Sequence, residues 1–188
     1  MSLNFISPLS SSFFIPFIPY SFLMSFTFTN SAQELTYRKV LDYLTTAALF
    51  KDSLEVVADQ PVFYLTYGSA RVDVEVRAWD VHPWDTGELA VVRAVSCVTV
   101  GSELSHELMR YLLMESSRMR FGAFQLGDEG EVLFANSVLG GENMDLMELQ
   151  TCILSVVTIA DTYDDIIADQ FGGKRAADRS VSLSPNLQ

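Results

Sequence analysis

The sequence predicts an α+β fold, an antiparallel sheet flanked by helices in the order α-β-β-β-β-α-β-β-α. Three observations predict it. Two glycine-containing turns, Gly68-Ser69 and Gly127-Asp128-Glu129-Gly130, each join a pair of strand-like runs. Between those pairs, Leu89–Val100 is apolar apart from Arg93 and a few small polar residues. Three other segments space their apolar residues by three and four, which marks helices with one buried stripe. Strands joined by tight turns pair antiparallel, and the helices cover them.

Each element follows from its residues. Ser31 is expected to cap the first helix while Glu34 reaches back to it in a capping box. Tyr37, Val40, Leu41, Leu44 and Ala48 share one face, and the helix is expected to reach Phe50. A short strand over 54–58 ends before Pro61, and strands over 62–67 and 71–79 flank Gly68-Ser69. In the second of these, Val72, Val74, Val76 and Ala78 alternate with Arg71, Asp73, Glu75 and Arg77, so one face is buried and the other wet. The apolar run 89–100 suits a central strand covered on both sides. Residues 80–88, with His82, Pro83, Trp84 and Gly87, read as a loop.

Ser102 or Ser105 caps a second helix that extends to about Met119. Strands over 122–126 and 131–137 form the second hairpin, and Gly140-Gly141 ends the sheet. A third helix is expected over 144–170, with Leu146, Leu149, Ile153, Val157, Ala160 and Ile167 on its apolar side. Gly172-Gly173 stops it, and Lys174 and Arg175 favour its negative end.

Residues 31–173 therefore make one domain, and 174–188, rich in Ser with Pro, Asn and Gln, read as a disordered tail. Residues 1–30 are an uncharged apolar extension outside the fold; the first charged residue is Glu34. A signal peptide wants a basic residue before its apolar run, and a spanning helix would be broken by Pro8, Pro16 and Pro19. The favoured reading is that residues 1–23 are not native and translation begins at Met24. A weak uncleaved anchor and an apolar tail packed on a partner are the alternatives.

Charge and cysteine content exclude several functions. Twelve basic against 24 acidic residues give a net charge of -12, which repels phosphate backbones, so no nucleic acid is expected. Cys97 and Cys152 lie far apart among apolar or small residues, without neighbours at metal-ligand spacing. They read as buried thiols, which fits a reducing cytoplasm.

The sharpest polar cluster is Asp161, Asp164, Asp165 and Asp169. Asp161, Asp165 and Asp169 stand four residues apart and share a helical face. A magnesium-diphosphate site would need a second acidic motif on a facing helix, and none is present. The cluster reads as a solvated face or as a patch for a basic partner. The span 142–171 holds seven acidic residues and no basic one. Gly172-Gly173-Lys174-Arg175 follows a helix, the reverse of a phosphate-binding loop. His82 and His106 lack a nucleophile in a recognisable motif, and Trp84 reads as a loop anchor.

On the second helix Leu108, Tyr111, Leu112 and Glu115 form one face. Met109, Leu113 and Met114 are left over, which points to a self-association surface.

Three stretches carry a family resemblance: Leu65-Thr66-Tyr67-Gly68-Ser69-Ala70; Arg120-Phe121-Gly122-Ala123-Phe124; and Asp161-Thr162-Tyr163-Asp164-Asp165 with Phe171-Gly172-Gly173-Lys174-Arg175. Their order and spacing over residues 35–175 resemble the YbjN family, which has a type III secretion chaperone-like fold. The resemblance implies dimerisation, binding of extended protein segments and no catalytic residues. The resulting expectation is a cytoplasmic, homodimeric binding module that holds an extended client segment, without cofactor, metal, membrane or enzymatic activity. The alternative is a regulatory or sensory adaptor that docks a folded partner on the acidic third helix.

Overall fold

The computed structural model describes residues 26–68, 70–79 and 87–178. The helices are α1 (Ser31–Thr46), α2 (His106–Arg118) and α3 (Leu146–Phe171). The strands among the described residues are β1 (Glu55–Val56), β2 (Val62–Tyr67), β3 (Ala70–Trp79), β4 (Leu89–Val100), β5 (Ala123–Leu126), β6 (Val132–Leu139) and β7 (Lys174–Arg175). They form one sheet in the order β1-β2-β3-β4-β6-β5, with β7 added to β4, and every pairing is antiparallel.

All three helices lie on the same face of this sheet. Phe63, Val74, Ala94 and Asn136 are successive register partners across β2, β3, β4 and β6, so their side chains share a face. Tyr37 of α1 stacks on Phe63 with ring centroids 4.7 Å apart, and Asn136 Nδ2 of β6 donates to Ser155 Oγ of α3. Tyr111 of α2 meets the Phe171 ring, and the Tyr163 hydroxyl of α3 donates to Glu115 of α2. One core joins these layers, with Tyr37, Phe63, Phe134, Leu149 and Ile153 wholly buried. Burying a Phe or Leu of that kind stabilises by about 1.5–3 kcal/mol.

Several boundaries differ from the sequence-based expectation, each for a local reason. The α1 cap is Asn30, not Ser31: its side chain accepts from Gln33 N, while Gln33 Oε1 accepts from Thr29 N. This is a variant of the capping box one residue earlier, with Gln33 in the role given to Glu34 but reaching back to the N–H of Thr29 rather than to that of the cap. Ser31 instead donates through its backbone N–H and its hydroxyl to Glu88, which holds that carboxyl below its usual range. Glu34 pairs with Arg38 one turn on. The helix ends at Thr46, and the chain turns through 48–53. α3 begins at Leu146 with Asp145 as cap, so five of the seven acidic residues of 142–171 lie within the helix.

The strand β4 is central, but among the described residues helices cover only one of its faces. Its apolar run has a different cause on the second face, taken up below. At both ends the fold extends past the expected boundaries. Phe26 and Phe28 pack edge-on and tilted against Tyr37, so residues 26–30 belong to the core's margin. Residues 174–178 are not a tail: β7 pairs with the end of β4, and a 3-10 turn over Ala176–Asp178 follows. The reversal needs Gly173, whose φ is +91° and whose Cβ, if present, would lie 2.6 Å from Ser102 Oγ. The expectations for residues 1–23 and Met24, for His82 and Trp84, and for the tail beyond 178 lie outside the described residues.

Candidate functional site

With all helices on one side, the other face of the sheet is open among the described residues. It displays the outward set of β3 (Arg71, Asp73, Glu75, Arg77), as the alternation predicts. These side chains lock together. Glu75 pairs with Arg77 at 2.5 Å and Arg93 at 3.4 Å, and Arg93 also donates to Gln125 on β5. Arg71 lies 3.9 Å over the Tyr64 ring and 3.5 Å from Asp73. Burial pushes the Asp73 carboxyl up, against the downward pull of Arg71.

At one end of this face the sheet opens into a cleft of about 520 Å³. The cause is a β-bulge. Cys97 faces Leu133 and Thr99 faces Val132 on β6, so Val98 is an extra residue. The β3–β4 ladder stops at Asp73–Val95, and β7 takes up the same edge of β4 only at Thr99 and Val100. In the gap, Ser96 Oγ donates to the Arg71 carbonyl (2.8 Å). Val95, Cys97, Val98 and Leu133 supply the apolar lining, and Arg71, Asp73, Glu75 and Arg93 the charged rim. Ala176 and Ala177 of the 3-10 turn form one wall, and Ala160 and Asp164 of α3 complete it.

The cleft is held in shape by the C-terminal segment. Arg175 bonds both carboxylate oxygens of Asp178 at 2.8 Å and pairs with Asp165 at 3.2 Å. Ser102 Oγ donates to the Gly172 carbonyl and bonds Thr99 Oγ1 beneath it.

The acidic cluster of α3 is divided. Asp161, Asp165 and Asp169 are exposed, as their four-residue spacing predicts. Asp164 does not share that face: it is buried, 7% exposed, and lines the cleft. Its carboxylate accepts from Asp165 N (2.7 Å), and burial raises its pKa from the ordinary value. Among the described residues, no three His, Cys, Asp or Glu side chains gather as a metal ion would require.

On α2, Leu108 and Leu112 are buried, and Tyr111 and Glu115 face α3 as expected. Met109, Leu113 and Met114 stand outward, Leu113 at 73% exposure, and line a shallow groove with His106, Arg110 and Ser117. The Cys152 thiol is buried and pushed up to about 11, which leaves it unreactive. No described helix is long and apolar enough to cross a membrane.

The cleft is not legible in the sequence, because its parts come from β3, β4, β6, α3 and the C-terminal segment. One signal was present. Counted from the outward Arg93, the residues of the same parity are Leu89, Val91, Val95 and Cys97, which are apolar on a face no helix covers.

A family model described as T3SS (YopN, CesT) and YbjN peptide-binding chaperone 1 matches residues 39–179. No curated protein matches the chain at a significant level.

Proposed function

The chain belongs to the T3SS and YbjN peptide-binding chaperone family, and from that premise we propose that it is a cytoplasmic, non-catalytic module that holds an extended segment of a client protein on its helix-free sheet face. The observation that carries this reading is the cleft where β3 leaves β4. It combines an apolar floor with a charged rim, the surface an extended chain with alternating side chains requires. The outer edge of β2 adjoins the same corner. β1 pairs only with Phe63 and Tyr64, which leaves Leu65–Tyr67 without a strand partner on that side among the described residues.

The exposed carboxylates of Asp161, Asp165 and Asp169 flank Asp164 on α3 and would draw basic segments toward the cleft, an attraction that weakens with salt. The adaptor reading, a folded partner docked on this helix, has less support. Asp164 is turned inward and Asp165 is already paired with Arg175. We also propose that Met109, Leu113 and Met114 join two copies of the chain through α2.

A photo-reactive residue placed at Ala177 tests the reading in cells. It should cross-link to a client stretch that is unstructured in the free client. Ala177→Trp, which fills the cleft from an exposed position, should lower recovery of that client about tenfold. Equal recovery with Ala177→Trp, and no client cross-link at Ala177, would overturn it.

A further inference from the structure

We infer that the cleft receives a basic side chain of the bound segment, its charged head at Asp164 and its aliphatic stem along Val95, Val98 and Leu133. This rests on the peptide-binding reading and names the chemistry that reading leaves open.

Most charges around the cleft already have partners. Arg71 is engaged with Tyr64 and Asp73, and Arg93 lies between Glu75 and Gln125. Glu75 is shared by two arginines. Asp164 is the most buried of the three carboxylates that line the cleft, and it makes no ion pair among the described residues. Arg175, whose charge acts on Asp164, has its ion pairs with Asp165 and Asp178. Asp161 and Asp165, on the neighbouring turns of α3, add to the negative potential.

Asp164 accepts one backbone hydrogen bond and feels Arg175 without an ion-pair contact, and burial still raises its pKa; a cation brought into contact with it recovers part of that desolvation cost. The floor beside it is apolar, which suits the methylene stem of Lys or Arg but wastes a short polar chain. Asp73 and Glu75 are paired with arginines, so a free metal ion would find only the Asp164 carboxylate where several oxygens are needed.

The test uses the full chain and three blocked pentapeptides, Ser-Val-Lys-Val-Ser and its variants with arginine or norleucine at the centre. The Lys and Arg peptides should shift the amide signals of Val95, Ala160 and Ala176 and bind about tenfold tighter than the norleucine peptide. Asp164→Asn should erase that difference, while Asp52→Asn, which removes an exposed carboxylate in the turn after α1, should preserve it. In the unmodified protein, adding the Lys peptide should lower the pKa of the Asp164 carboxyl followed by carbon NMR, a readout independent of any variant's folding. Equal binding of the Lys and norleucine peptides overturns the inference and leaves the peptide-binding reading standing. An Asp164 titration unmoved by bound Lys peptide also overturns it. Binding by none of the three overturns it too, and the client cross-link at Ala177 then decides the broader reading alone.

Discussion

At the scale of single residues, Asp164 separates stability from function. Its pKa in the folded protein is raised above 3.8 by burial, so the folded state holds its proton more tightly than the unfolded chain does. The resulting stabilisation is complete below pH 3.8 and is lost as pH rises through the folded-state value. At neutral pH the ionised carboxylate is therefore a net cost. Asp164→Asn keeps an oxygen to accept from Asp165 N and removes the charge. It should melt about 2–4 °C higher than the parent at pH 7, the effect of about 1 kcal/mol in a domain of this size. The gap should close in calorimetry below pH ~3.8. A lower Tm at pH 7 would mean the ionised group is stabilising, and no cost would then await a cation. Sequence spacing identified the carboxylate but put it with the exposed Asp161, Asp165 and Asp169. Its burial depends on the bulge in β4 and on Ala176 and Ala177, which helical periodicity does not register.

At the scale of elements, local patterns were legible and non-local ones were not. Val72, Val74 and Val76 of β3 and Leu108 and Leu112 of α2 are buried as their spacing predicts, since each depends on one element and one covering layer. The cap of α1 was displaced by one residue because Asn30–Gln33 and Ser31–Glu34 both have the spacing of a capping box, and only the first pair forms the cap. Tertiary contact chose between them: Asn30 also donates to the Leu89 carbonyl, and Gln33 to that of Val76. Asn30→Ala should thus cost about 1–2 kcal/mol, while Ser31→Ala should cost less. Denaturant midpoints with unchanged slope would establish that order. The strand β4 misled in another way, since an apolar cleft floor and a helix-covered face look alike in a run of Val, Ala and Cys. For α2, Leu113→Glu should leave helix content intact and give a monomer by light scattering. A parent chain that is already monomeric at tens of micromolar (~µM affinity or weaker) would end the self-association proposal.

At the scale of the whole molecule, the order of elements was legible because each is announced locally by turns, caps and periodicity. The domain's ends were not. Phe26 and Phe28 meet the core at Tyr37, and β7 pairs with the sheet at Thr99 and Val100. Nothing in a stretch of two aromatic residues or a Lys-Arg pair states such partners in advance. Trimming each end in two steps tests these attachments. A chain that begins at Met24 keeps both aromatics and should melt with the full chain, whereas one that begins at Asn30 loses their packing. Burial of two partly covered rings stabilises by about 2–3 kcal/mol, so the shorter chain should melt about 4–10 °C lower. At the other end, a stop after Asp178 should leave both Tm and peptide binding unchanged. A stop after Gly173 removes β7, the Arg175 clamp and the alanine wall of the cleft together. Because the core of Tyr37, Phe63 and Phe134 does not involve those residues, this chain should remain folded by circular dichroism yet lose peptide binding at least tenfold. Retained binding in the Gly173 chain would place the client elsewhere on the sheet and remove the C-terminal segment from the site.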